Sequence, residues 1–119
     1  MSTADMVAYY ALSWITRDRS AVRRLIAPDA EIEWNLDAPV DDEELVQTLH
    51  RIAAFADSVT VVSRTRRAGG ALLVYDLAAP FGTARVAEFV TVSAGRITEI
   101  RQVYDVVAID RYFPGLYLG

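Results

Sequence analysis

Two aspartates stand where a strand-forming sequence has little reason to keep a charge. Asp105 closes the apolar strip Val103-Tyr104-Asp105-Val106-Val107, and Asp76 interrupts Leu72-Leu73-Val74-Tyr75 and Leu77-Ala78-Ala79. Strand propensity disfavours aspartate at both points. In an apolar pocket, desolvation favours the neutral carboxyl and moves its pKa toward neutrality, where a general acid or base works best. Two such groups in one pocket repel, so one keeps its proton while the other ionises, which is the division acid–base catalysis uses. On this reading Asp105 is the base and Asp76 the acid. Both must reach one substrate, which requires the two carboxylates to face one pocket within about 8 Å. Each also has a structural reading. Asp105 can be a strand-end residue that pairs with Arg101 or caps a turn, and Asp76 an outward residue paired with Arg64 or Arg66.

Composition removes most other chemistries. There is no cysteine, which excludes disulfides, thiolate nucleophiles and cysteine-ligated metals. His50 is the only histidine, so a multi-histidine metal site is excluded and a Ser-His-Asp triad has little to build on. No phosphate loop or dinucleotide fingerprint is present, and neither metal nor cofactor is expected. The 119 residues carry 12 basic side chains, all arginine, against 16 acidic ones; the net charge of -4 speaks against a nucleic-acid partner. The cluster Arg64, Arg66 and Arg67 reads as a solvated sheet edge. No apolar run approaches the roughly 18 residues of a membrane helix, and the N-terminus lacks the basic start and apolar stretch of a signal peptide. The expectation is a cytoplasmic protein without membrane attachment.

The elements that must position the two aspartates are legible from periodicity. A length of 119 residues without repeats or linkers gives one domain, 1–119. From Thr3 to about Thr16, Val7, Tyr10, Ala11, Trp14 and Ile15 fall at helical spacing, with Thr3 as N-cap. Ser20 can cap a second, short helix carrying Val22, Leu25 and Ile26. Glu31 to Leu36 alternates with period two, as a strand does. Asp41-Asp42-Glu43-Glu44 opens a third helix with Asp41 as cap and Leu45, Leu49, Ile52 and Ala56 as the buried stripe. Four strands follow: Val59 to Arg67, Ala71 to Ala79, Arg85 to Ser93 and Arg96 to about Val107. Ala68-Gly69-Gly70, Pro80-Phe81-Gly82 and Ala94-Gly95 part them as turns. Helices followed by an antiparallel meander make an α+β layout, a curved sheet folded around helices.

Three further expectations come from the apolar residues. Val86, Val90, Val92, Ile100 and Tyr104 share a parity read as the outer face, which predicts a homodimer formed through the sheet. Tyr10, Trp14, Trp34 and Val103 are expected to line, with Asp105, a pocket for one small apolar molecule, with Leu49 and Phe55 nearby. The apolar tail from Ile109 to Gly119 must cover something, either the domain's own cavity or a neighbouring subunit; in one alternative Phe113 to Leu118 plug the pocket.

The order of these elements, with Gly95-Arg96-Ile97-Thr98-Glu99-Ile100 leading into Val103-Tyr104-Asp105, resembles the SnoaL-like branch of the NTF2-like superfamily. Polyketide cyclases, limonene-epoxide hydrolases and ketosteroid isomerases belong to it. The resemblance covers nearly the whole chain and lies in order and spacing. It implies a cone, an α+β barrel of the cystatin-like kind, in which a bent sheet is closed by helices over a deep apolar pocket. Set against the ketosteroid isomerases, the oxyanion-hole tyrosine falls on Tyr10 and the base aspartate on Trp34. The second aspartate falls on or next to Ala87, with Glu88 turned to the other side of the strand by parity. Two of three roles are missing, which speaks against isomerisation by that mechanism.

The hydrolase and cyclase pattern fits better. Its aspartate, ten residues after the glycine of the last hairpin, is Asp105 after Gly95, and its second carboxylate falls on Asp76. The bridging arginine falls on Val74, leaving Arg101 or Arg85 as replacements, and the Tyr-x-Asn motif aligns with Glu33-Trp34-Asn35, keeping Asn35. A register shifted by one turns Trp34 inward instead. The resemblance therefore implies a cofactor-free enzyme acting on a small apolar polyketide- or terpenoid-like substrate by epoxide hydrolysis, cyclisation or isomerisation. The alternative is a non-catalytic ligand-binding or dimerisation domain.

Overall fold

Helix α1 (Thr3–Thr16) opens on a reciprocal cap one residue before the expected one. Ser2 Oγ accepts from the Asp5 amide at 3.1 Å, and Asp5 Oδ2 accepts from the Ser2 amide at 3.3 Å. Its inward stripe, Met6, Val7, Tyr10, Ala11 and Trp14, is buried. Helix α2 (Arg19–Leu25) is capped by Asp18, whose side chain accepts from the Ala21 amide, and not by Ser20. The remaining elements are β1 (Ile26–Trp34), β2 (Pro39–Val40), α3 (Asp42–Phe55), β3 (Ser58–Arg67), β4 (Gly70–Ala79), β5 (Gly82–Ser93), β6 (Arg96–Tyr104) and α4 (Val106–Tyr112). This computed structural model describes residues 2–16, 18–35, 39–40 and 42–113. Asp41 and the side chains of Leu49, Ile52 and Phe55 lie outside the described residues, as does the tail beyond Phe113.

The sheet runs β2-β1-β6-β5-β4-β3. From β3 to β6 it is the expected antiparallel meander, but β1 lies parallel to β6, so the sheet is mixed. Pairing with β1 covers the backbone edge that β6 would otherwise leave open. The long strands curve around the helices without closing into a barrel, so the layout is α+β with an open sheet. At the last hairpin Ala94 and Gly95 both have positive φ, 51° and 74°, the backbone that a tight two-residue turn between twisted strands requires.

Burial fixes which face is which. Ala71, Leu73, Tyr75 and Leu77 on β4, Ala84, Val86, Glu88 and Val90 on β5, and Ile97, Ile100 and Gln102 on β6 are buried against the helices. The outer face carries ion pairs: Asp76 with Arg85, and Arg101 with Glu99 and Glu33. Val86, Val90 and Ile100, expected outside, are therefore inside, with Val92 and Tyr104 partly buried against the same core. The charged residues of four neighbouring strands claim the wet face together, which forces the valines of β5 inward. The surface on which a sheet dimer was expected is thus the core side of the sheet.

The last strand ends at Tyr104, short of Val107, and the chain turns into α4. Ile109 and Phe113 are buried in the domain's own core, so the described part of the tail covers this domain's interior. Among the described residues no helix is long and apolar enough to cross a membrane.

Candidate active site

Register brings Trp34, Gln102, Glu88 and Leu73 into one row across β1, β6, β5 and β4. Helix α1 lays Tyr10 and Trp14 over this row. Trp14 stacks on Tyr75 with ring centroids 5.0 Å apart at 28°, and Tyr10 meets Trp14 edge-on at 6.5 Å and 77°. In the middle of this aromatic layer sits a carboxyl group. Glu88 has 0% exposure, and its Oε2 accepts from the Tyr10 hydroxyl at 2.8 Å and from Gln102 Nε2 at 2.5 Å.

Burial pushes the pKa of Glu88 up to about 7, although the bonds from Gln102 and Tyr10, together with the nearby Tyr75 hydroxyl, act to lower it. Desolvation dominates because no cation faces the group among these contacts. Burial likewise holds the Tyr75 phenol well above its ordinary value, and the neighbouring Glu88 adds to the effect. Tyr75 acts on Glu88 both by charge and through a weak side-chain contact. Its hydroxyl, Glu88 Oε1 and Gln102 Oε1 are buried polar atoms with no hydrogen-bond partner. Native interiors seldom leave such groups unpaired, so three of them together mark this spot out from the rest of the core.

The expected aspartate pair is not brought together. Asp105 is exposed and is the N-cap of α4; its Oδ1 accepts from the Val107 amide at 2.9 Å and the Ala108 amide at 3.3 Å. The capping alternative is the one found, and the side chain is not at the floor of an apolar pocket. Asp76 is on the outer face, bonded through both oxygens to Arg85 at 2.7 and 2.9 Å, and that guanidinium holds its carboxyl below the usual range. A carboxyl that stays ionised on the wet face does not supply the proton expected of a general acid. Val103 is 43% exposed on the outer face, in a shallow cleft with Arg67, Phe89, Glu99 and Arg101.

Of the other expected pocket residues, Tyr10, Trp14 and Trp34 are buried in the core cluster, all on the inner side. Asn35 closes β1 with φ 53°; its amide donates to the Gln102 carbonyl at 2.7 Å and its Oδ1 accepts from the Tyr104 amide at 2.8 Å. These bonds commit Asn35 to ending the strand. Glu88 is the residue that sequence reasoning placed on the wrong side. Its signal was parity: it shares a face with Val86 and Val90, opposite to Arg85.

Replacing Asp105 by alanine is expected to leave any catalytic activity intact. It should lower stability by about 1 kcal/mol, the usual loss for a helix N-cap. Thermal melts and turnover measured on the same protein check this. Among the described residues no three His, Asp or Glu side chains gather closely enough to hold a metal ion.

A curved, open sheet packed against helices, with a carboxyl buried between them, is an α+β layout. More specifically, it has the NTF2-like fold. A Burkholderia thailandensis NTF2-like protein superposes with a TM-score of 0.76 at 20% identity, covering 94% of this chain and 98% of that one. IdmH from Streptomyces antibioticus, described as a candidate polyketide cyclase, gives 0.72 at 21% identity over 90% and 94%. A steroid delta-isomerase from Pseudomonas aeruginosa gives 0.73 at 16% identity over 89% and 81%. No protein-family model matches the sequence, and no curated protein matches it significantly.

Proposed function

We propose that the protein is a cofactor-free acid–base enzyme that isomerises or cyclises a small apolar carbonyl compound. Glu88 carries the proton, and Tyr10 and Gln102 hold its carboxyl in place. The supporting observation is a wholly buried carboxyl whose pKa is pushed up to about 7 between two donors, with its second oxygen unpartnered. One group poised near neutrality can take a proton from carbon and return it elsewhere on the same substrate, because neither protonation state is far from half-populated. Epoxide hydrolysis by a carboxylate pair has less support, since Asp76 is bound to Arg85 on the outer face and Asp105 to the amides of α4. The complete enclosure of Glu88, Tyr10 and Trp14 favours a second reading, a non-catalytic domain whose buried acid serves packing.

Hydrogen–deuterium exchange separates the two. Cyclic enones and β-diketones incubated with the protein in D2O are expected to gain deuterium next to the carbonyl. Glu88→Gln should slow that exchange by about 100-fold or more, the scale of a lost general base. Equal exchange by wild type and variant overturns the role of Glu88. Exchange no faster than in buffer, across the whole set, favours the binding domain.

A further inference from the structure

Where α1 passes over the edge strand β3, the helix and the strand leave a seam that the chemistry above does not use. Near the start of α1 the seam opens into a cavity of about 340 Å3, walled by Thr3, Ala4 and Val7 on the helix and by Arg64, Arg66 and Ala71 on the sheet. Farther along it widens into a cleft of about 520 Å3 lined by Leu12, Ile15 and Val62, and Arg64 is in the wall of both. Glu88 lines neither.

Two features of the seam call for a ligand with two parts. The first is charge. In a chain of net charge -4, Arg64 and Arg66 stand two residues apart on one strand, and neither forms an ion pair with a described residue. Arg67 also borders the cavity, but its guanidinium lies over the outer-face Phe89 ring, 5.7 Å from the centroid. Arg64 and Arg66 pair in register with Leu73 and Ala71, which face the helix, so their stems start toward the seam. Planar guanidinium groups bind carboxylates through parallel N–H donors. The free amides of α1's first turn lie at the same end and add to the attraction for an anion. Asp5, the acid of that turn, is tied back to Ser2. The second feature is apolar surface. Leu12, Ile15 and Val62 are 50%, 41% and 46% exposed and meet across the cleft that begins at Arg64.

We infer that this seam binds a single-chain organic acid, with its carboxylate at Arg64 and Arg66 and its hydrocarbon body along Leu12, Ile15 and Val62. Charge and apolar surface share one wall residue, so one molecule can satisfy both. A bare anion leaves the apolar cleft wet, and an uncharged chain leaves the arginines unpaired. The site is independent of Glu88, so its test stands or falls separately from the proposed reaction.

Isothermal titration with decanoate, below its micelle concentration, tests the inference on the full chain. Saturable binding of one decanoate per chain is expected, with decanol at least about 10-fold weaker, because a charged, paired hydrogen bond contributes on the order of 1.5–3 kcal/mol. The double variant Arg64→Ala/Arg66→Ala should weaken decanoate by a similar factor and leave decanol unchanged. Leu12→Ser should weaken both, and Glu88→Gln neither. Far-ultraviolet circular dichroism confirms that the variants fold. Equal affinity for decanoate and decanol overturns the carboxylate subsite. Binding of acetate as tight as decanoate overturns the apolar subsite. Absence of saturable binding overturns the inference as a whole.

Discussion

The wild-type protein is expected to lose stability as the pH rises from about 5 to about 8, and Glu88→Gln to remove most of that loss. The direction follows from the raised carboxyl. In the unfolded chain a glutamate gives up its proton near 4.5, whereas in the fold Glu88 keeps it until about 7. Between those values the native state holds more protons, so each step up in pH favours unfolding. The stabilisation of the protonated form is fully present below the unfolded pKa and is gone once the pH passes the folded one. The total is on the order of 3 kcal/mol, which for a domain of this size lowers the melting temperature by about 10 °C or more. Glutamine keeps the acceptor that Tyr10 and Gln102 donate to, but has no proton to lose. Its curve should be flat across the same window and lie above wild type at the alkaline end. Thermal melts of both proteins at matched ionic strength measure this directly. Stability surrendered at working pH to hold an acid in the core is the pattern expected of a catalytic group. A wild-type melting temperature that is constant, or rises, across the window shows that Glu88 ionises normally.

Gly70→Ala is expected to cost more than any other single-methyl addition to the sheet's turns. A Cβ at Gly70 would stand 1.9 Å from the Val90 carbonyl oxygen, 2.9 Å from its carbon and 3.1 Å from Thr91 Cα. All three are backbone atoms, so no rotamer change relieves the contact, and β4 must move off β5 where Gly70 pairs with Thr91 and Ala71 with Val90. A loss of about 3 kcal/mol, the upper range for overpacking, is expected. Gly95→Ala is the control. Its Cβ meets nothing within 4 Å, and only the φ of +74° opposes it, a cost of about 1 kcal/mol. Urea denaturation of the two variants separates steric clash from backbone strain. Equal losses mean that β4 and β5 are not as close as described.

Much of the scaffold was legible because it follows simple periodicities. Tyr10 and Trp14 declared an inward helix face, and the turns at Ala68-Gly69-Gly70 and Ala94-Gly95 marked hairpins by composition alone. The errors have physical causes. Strand β5 is apolar on both sides, with Val86 and Val90 on one and Ala87 and Phe89 on the other, so its own alternation does not choose a face. The choice came from cross-strand partners: Arg85 opposite Asp76, and Arg101 opposite Phe89 and beside Glu33. Placing those five side chains on one wet face turns Glu88 inward as the single charged side chain among the buried described residues, a register argument that strand-by-strand reading misses. Asp105 misled for a related reason. Val106-Val107 suggests a continuing strand, because the β-branched pair favours one, yet the Asp105 carboxylate caps the amides that follow and tips the chain into α4. Asp76 was ambiguous from the start, and its outward alternative was right in kind, with Arg85 as the partner in place of Arg64 or Arg66.

The ionisation of Glu88 itself can be followed by carbon-13 NMR of protein labelled at the glutamate side-chain carboxyls, with its resonance assigned by its disappearance in Glu88→Gln. The proposed role predicts a midpoint of about 7, far above that of the exposed Glu43, which Arg23 holds below the ordinary value. A Glu88 resonance that titrates at or below 4.5 contradicts it, because such a carboxyl is solvated, ionised at neutral pH and unable to return a proton to substrate.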